Sequence, residues 1–209
     1  KGSAQCKTAV IFAGLRTKGT TTIKAKKSRN HTELMCKYLG LPVSVKSGKN
    51  YDGIKVRGMK KIKPFNYKIP SDISSSAFFI ALTALSNKSK LTIKDVNINP
   101  SRVGVVKILK KMGVKIIYRN IKKYKGEKIA DIHVASTKFL KPINCPPSLN
   151  SAAIDEFLII FLIAAKANGV SYFRDLSELN QKESPRLKWG SKILRLMGIR
   201  TITKYNSIK

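Results

Sequence analysis

At 209 residues the chain is long enough for one large core or two small ones. Its 43% hydrophobic and 8% aromatic residues exclude a disordered chain, and its longest apolar run, Phe157 to Ala165, is too short to span a bilayer. The net charge of +31 points first to nucleic acid, but the lysines are spread along the whole chain without an aromatic-interleaved basic motif, so they read as surface residues that also steer anionic substrates.

In chain order, Ser3 to Leu15 is a small-residue, apolar segment that predicts a buried helix. Lys18-Gly19 turns into the β-branched strand Thr20-Thr-Thr-Ile23, and a polar loop carries Ser28-Arg29-Asn30-His31. Thr32 to Leu39 places Leu34, Met35, Tyr38 and Leu39 on one helical face and stops at Gly40. The layout then recurs. Ser74 caps an apolar helix, Leu91-Thr-Ile93 is a strand, and Asn97 to Arg102 is the loop. A helix with Val105, Leu109 and Met112 at i, i+4 and i+7 follows and ends at Gly113, and Val114 to Tyr118 continues as a strand.

The third copy opens at Ser151 and runs through Asp155-Glu156 into the apolar stretch. It turns at Asn168-Gly169, continues as the β-like Val170 to Phe173, and closes in a helix capped by Ser184 with Pro185 first and Gly198 last. The starting serines are 71 and 77 residues apart and the closing glycines 73 and 85, an internal repeat too long for a solenoid. Lys63 to Ser71 is the predicted crossing between two lobes, giving domains at 1–69 and 70–209.

Three cysteines, Cys6, Cys36 and Cys145, are widely spaced with no C-x-x-C, which argues against a disulfide framework or zinc site and fits a reducing compartment. His31 and His133 have no ligand-spaced partners. The chain starts Lys1-Gly2-Ser3 without a signal-peptide pattern, so it reads as an internal piece of a longer protein.

The chemistry concentrates at helix N-termini, where unsatisfied N–H groups favour phosphate or carboxylate. An Arg or Lys stands before each second helix: Arg29, Arg102, and Lys182 with Arg186. Helix capping by the serines and surface ion pairing by the arginines are the plainer alternatives. Asp155, heading an apolar helix in a chain with 11 acidic residues, is a general-base candidate, against the alternative of a helix-dipole acid. Lys182, Glu183 and Arg186 offer a proton donor, a carboxylate and a planar anion clamp, or else a solvated charge run.

Five motifs occur in order: Ser3-Ala4-Gln5-Cys6-Lys7, Arg29-Asn30-His31-Thr32-Glu33, Asn99-Pro100-Ser101-Arg102, Ile154-Asp155-Glu156 and Lys182-Glu183-Ser184-Pro185-Arg186. Together they resemble the 5-enolpyruvylshikimate-3-phosphate synthase family, and the S-A-Q-x-K and R-x-H-x-E forms are similar to its class II branch. The resemblance covers essentially the whole chain. It implies an α/β fold (α+β in arrangement) of two lobes built from repeated β-α-β-α-β-β units around buried helices whose N-termini face a shared cleft, incomplete here. The residues 1–69 then correspond to the last part of the lobe that grips shikimate 3-phosphate, and 70–209 to part of the acid/base lobe.

The implied reaction transfers the enolpyruvyl group of phosphoenolpyruvate to the 5-hydroxyl of shikimate 3-phosphate, by addition and then elimination of phosphate, with no metal or organic cofactor. By resemblance Ser3, Ala4, Gln5 and Arg29 hold shikimate 3-phosphate and Asp155 meets the reacting hydroxyls as base. Lys182 lies near that hydroxyl and the leaving phosphate, Glu183 exchanges a proton with the methylene carbon, and Arg186 clamps the phosphoenolpyruvate carboxylate. The resemblance also implies a cytoplasmic monomer with small-molecule partners, no nucleic acid and no membrane.

The sequence departs from the family pattern at Pro185, where Asp is usual, and in Asn-Pro-Ser-Arg for Asn-x-Thr-Arg. An early Lys-Ser…Arg cluster, a glycine loop for phosphoenolpyruvate and a late arginine motif have no counterpart, which predicts that these 209 residues are inactive alone. The rival readings are the related transferase acting on UDP-N-acetylglucosamine and a basic nucleic-acid-binding module.

Overall fold

The computed structural model describes residues 2–59 and 61–209. In order the chain forms α1 (Ala4–Arg16), β1 (Thr20–Lys26), α2 (His31–Tyr38), β2 (Val43–Ser47) and β3 (Tyr51–Arg57). It continues with α3 (Ile73–Leu85), β4 (Lys90–Asn97), α4 (Gly104–Lys111), β5 (Lys115–Tyr124) and β6 (Glu127–Ala135), and ends with α5 (Phe157–Ala164), α6 (Arg186–Leu196), β7 (Thr203–Lys204) and β8 (Ser207–Ile208). The repeat is visible as α-β-α-β-β. The sheets run β1-β3-β2 and β4-β6-β5, with β7-β8 as the remnant in the third copy.

Two compact units result: Lys1–Ile69 with Lys122–Lys128, and Pro70–Ile121 with Ile129–Lys209. The first closes around Ile11, Leu15, Cys36, Ile54 and Val56. The second has the larger core, including Ile80, Leu109, Met112, Ile132, Phe157 and Ile160. Each of these fully buried side chains contributes about 1.5–3 kcal/mol of transfer free energy. Burial also pushes the Cys145 thiol up to about 11 and raises that of Cys36, where Glu33 adds to the effect, so both stay protonated at neutral pH.

The closing glycines behave as read. Gly40, Gly113 and Gly198 all take positive φ, at 64°, 93° and 79°. Each makes the same pair of bonds: Gly40 N–H to Lys37 O with Leu41 N–H to Cys36 O, and the equivalent pairs at 113/114 and 198/199. That is a Schellman stop three times over. The predicted inner face of α4 also holds, with Val105, Leu109 and Met112 fully buried.

Several expectations are corrected. Asp72, not a serine, caps α3, its Oδ2 accepting from Ser75 N–H at 2.8 Å. Ser184 does not cap α6. Pro185 takes the cap position and its carbonyl accepts from Trp189 N–H at 3.1 Å, a place where the missing proline N–H is not needed. The third copy has no helix at Ser151: residues 151–156 form successive turns and α5 begins only at Phe157. Val170 to Phe173 is not a strand but two isolated bridges, Asn144 with Tyr172 and Phe173 with Ile208.

The predicted face of α2 is not its buried face. Tyr38 is exposed while Glu33 and Cys36 are buried, because Glu33 is drawn inward by a buried lysine. Of the apolar first helices only α5 is largely enclosed, packed by α3, α4 and α6. α1 leaves Phe12 outside, and α3 exposes Phe78, Phe79 and Leu82 at 57–65%.

Candidate functional site

In the first compact unit, α1 and the loop before α2 supply the predicted residues. Ser3 is exposed and caps α1, its Oγ accepting from Cys6 N–H at 3.2 Å. Ala4 and Gln5 follow in the first turn, with Gln5 exposed. Lys7, one turn on, is buried: its Nζ lies 2.6 Å from Glu33 Oε1 and donates to the Arg29 carbonyl at 2.8 Å. The two motifs that begin at Ser3 and Arg29 are thus joined by a buried ion pair. Thr8 and Thr32 hydroxyls meet at 2.6 Å and add a second tie. A buried charge is costly to leave unpartnered, so Lys7, held between Glu33 and the Arg29 carbonyl, ties the Arg29 backbone to the head of α1. The charge difference that makes Lys7 and Glu33 a pair was visible in the motifs, but nothing in the sequence showed that they pair with each other.

In the second compact unit, the turn before α5 and the head of α6 converge. Asp155 Oδ1 lies 3.2 Å from Arg186 Nη1 and 3.4 Å from Lys182 Nζ, with all three side chains about a quarter exposed. Arg186 Nη2 also holds Glu183 Oε2 at 2.9 Å. Glu183 is the outermost, and its carboxyl is held below the usual range first by its own backbone N–H and then by Arg186. At neutral pH it is a carboxylate. Arg186, the first residue of α6, reaches both carboxylates with Pro185 before it.

A second polar group stands behind this cluster. Glu156 is buried and accepts from the Ser74 hydroxyl. Ser74 in turn accepts from Arg102 Nη2 at 2.6 Å, and Arg102 Nη2 reaches Asp72 Oδ1 at 3.1 Å. Arg102, read from sequence as one of four anion-binding cations, therefore has its guanidinium engaged within the protein. Glu156 looked less distinctive than Asp155 in the sequence, and its burial could not be read there.

Gly104 was also missed. A Cβ there would lie 2.5 Å from the Ala152 carbonyl carbon, and the Gly104 N–H bonds Ala152 O at 3.0 Å. Its signal was a glycine two residues after Arg102, at the start of a helix where glycine is unfavourable.

The structure brings Asp155, Lys182, Glu183 and Arg186 together, and separately Ser3, Ala4, Gln5 and the Arg29 loop; the two sets lie in different compact units. The second set presents an N–H-rich helix end tied to the loop that carries Arg29, an arrangement suited to an anion. The first presents one carboxylate between two cations, suited to moving a proton beside negative charge. Among the described residues no three His, Cys, Asp or Glu side chains gather to hold a metal ion, and no helix is long and apolar enough to cross a membrane.

Known proteins similar to this chain share one family. The family profile described as EPSP synthase (3-phosphoshikimate 1-carboxyvinyltransferase) matches residues 1–209. The 3-phosphoshikimate 1-carboxyvinyltransferase of Ruthia magnifica is 40% identical over 208 residues, which cover 99% of this chain and 47% of that protein. The enzyme of the same name from Thermodesulfovibrio yellowstonii is 38% identical over 95% of this chain and 46% of its own length.

Among solved structures, EPSP synthase from Acinetobacter baumannii superposes with a TM-score of 0.88 at 36% identity, covering 100% of this chain and 46% of that one. The enolpyruvyl transferase NikO from Streptomyces tendae shares the fold at a TM-score of 0.68 and 17% identity, over 93% and 43%. The chain spans about half the length of the curated relatives it matches. On the match over all 209 residues, it belongs to the EPSP synthase family.

Proposed function

We propose that this chain carries two parts of the active site of a 3-phosphoshikimate 1-carboxyvinyltransferase, which moves the enolpyruvyl group of phosphoenolpyruvate onto the 5-hydroxyl of shikimate 3-phosphate. The observation that supports this most is the convergence of Lys182 and Arg186 on one oxygen of Asp155, with Glu183 on the other arm of Arg186. Asp155 accepts the proton of the attacking hydroxyl as the hydroxyl oxygen bonds C2 of phosphoenolpyruvate, while C3 takes a proton from the Lys182 ammonium and becomes a methyl group. In the second step the Glu183 carboxylate takes a proton from that methyl group and returns it to Lys182, the bond from C2 to the phosphate oxygen breaks, and the departing phosphate takes the proton held on Asp155.

Glu183, ionised and beside Arg186, suits the proton-accepting half of the exchange at C3. Lys182 offsets charge on the leaving phosphate, and Arg186 suits the planar carboxylate of phosphoenolpyruvate. Ser3, the Ala4 backbone, Gln5 and Arg29 take shikimate 3-phosphate, with Ser3 and Arg29 at its phosphate. In this reading the whole protein is a cytoplasmic monomer whose partners are its two small-molecule substrates, and the 209 residues alone do not turn over.

The test is phosphate release by the full-length enzyme. Asp155→Ala should lower kcat by at least about a hundredfold, the usual scale for a positioned acid–base group. Normal phosphate release by Asp155→Ala, or turnover by the 209-residue chain, would contradict the respective assignment.

A further inference from the structure

Arginine has donors and no acceptor. With Arg102 Nη2 at 2.6 Å, the Ser74 oxygen must accept that bond, and the single hydroxyl proton is left for the carboxylate it touches, Glu156 Oε1. The direction of the chain is therefore fixed: Arg102 donates to Ser74, Ser74 donates to Glu156, and Glu156 Oε1 accepts. The far end is anchored too. Asp72 Oδ1 accepts from Arg102 at 3.1 Å, while Asp72 Oδ2 caps α3 through Ser75 N–H at 2.8 Å.

The near end meets the chemistry. Glu156 is fixed at three points: its side chain by Ser74, its N–H by Ala153 O at 3.1 Å, and its carbonyl by Ile160 N–H at 3.0 Å. Asp155 shares a peptide bond with Glu156 and sits in a run of turns instead of a helix. Its placement against Lys182 and Arg186 thus depends on what holds the next residue. From these observations we propose that Arg102, Ser74 and Glu156 are positioning residues that set the carboxylate of Asp155 through a one-way hydrogen-bond relay.

The relay also explains the repeat. Ser3 with Arg29 and Ser74 with Arg102 are the same constellation, a hydroxyl in or just before the first turn of one helix and an arginine in the loop before the next. In the second repeat the partner of that hydroxyl is a side chain of the third repeat, Glu156, in place of a ligand. The two copies of one anion-binding arrangement have separate uses, one for substrate and one for holding the catalytic turn.

The inference rests on the proposed role of Asp155, and the experiment separates the two. In the full-length enzyme, kcat, both KM values and the pH dependence of kcat are measured for Ser74→Ala, Ser74→Thr, Arg102→Lys and Asp155→Asn. Ser74→Ala should lower kcat about tenfold, the scale of a buried acceptor losing its donor, and displace the acid limb of the kcat profile while the KM for shikimate 3-phosphate stays within about twofold. Ser74→Thr, which keeps the hydroxyl, should restore both.

If Ser74→Ala does not fold, Arg102→Lys, which keeps the charge but loses the planar fork, is read in the same way. Wild-type kcat and pH profile in Ser74→Ala or Arg102→Lys, or a loss confined to KM, overturns the relay. An active Asp155→Asn overturns the role of Asp155 itself, whatever the relay variants do.

Discussion

Asp131 illustrates how one carboxylate holds an irregular stretch of sheet. β4 slips register against β6 between Ile93 and Val96, and Asp95 there takes a positive φ of 48°. Asp131 Oδ1 accepts from the Asp95 N–H at 3.0 Å, and Oδ2 accepts from Asn120 Nδ2 at 2.8 Å and Lys94 Nζ at 2.9 Å. The Asp95 N–H, then Asn120, then Lys94 hold its carboxyl well below the usual carboxylate range. Because the folded value is depressed, this stabilisation is complete above the unfolded value of about 4 and fades as pH falls below it. Asp131→Asn should be less stable than the parent at pH 7 and should lose less on acidification from pH 5 to 3. Urea midpoints measured across that range check it, and parallel curves for the two proteins would contradict it.

At the scale of elements, the close approach of α4 to the turn before α5 bears on the placement of Asp155, the carboxylate we propose as base. Gly104 lets the backbone at Ala152 and Ala153 come within 3 Å of where a side chain would begin. Gly104→Ala must push that turn away, since the atoms it meets are backbone and cannot rotate aside. We expect a loss of about 1–3 kcal/mol in stability, the scale of an overpacked core, together with a fall in kcat larger than the shift in either KM. A variant with unchanged kcat would show that the turn does not depend on this approach.

The three glycine stops and the inner face of α4 were legible because 3.6-residue periodicity and a left-handed glycine are local signals. The hairpins were not. β5 and β6 turn on Lys125 and Gly126 at φ 47° and 90°, so a lysine holds the position where asparagine would have announced the turn. β2 is mostly exposed and does not alternate cleanly. For the candidate site, the sequence supplied residue types and not their arrangement. Lys182, Glu183 and Arg186 are adjacent in sequence, but the turn that brings Asp155 to them, the burial of Glu156, and the pairing of Lys7 with Glu33 are tertiary facts.

For the whole molecule, a large charge and an exposed apolar face oppose one another. Phe78, Phe79, Leu82 and Leu85 form one exposed face of α3, a patch of the kind that drives association. The charge of +31 keeps copies apart at low salt. At about 1 M salt, where the Debye length is about 3 Å, the repulsion is screened and the 209-residue chain should self-associate. The double variant Phe78→Lys and Phe79→Lys should remain monomeric there. Sedimentation velocity distinguishes the cases, and identical behaviour of parent and variant would remove α3 as the cause.

The first compact unit is made of two stretches distant in sequence, and Lys122–Lys128 supplies Glu127 to His31 at 2.5 Å and a lysine to the Asn66 carbonyl. A ribosome delivers Lys1–Ile69 first. The residues 70–121 then occupy about 3–10 s of translation at ordinary rates. Through that interval His31 lacks Glu127, and Leu34 lacks the backbone that packs at Gly126. The nascent chain therefore waits, half-finished, for its own later segment, and in that interval it is most open to chaperones and proteases.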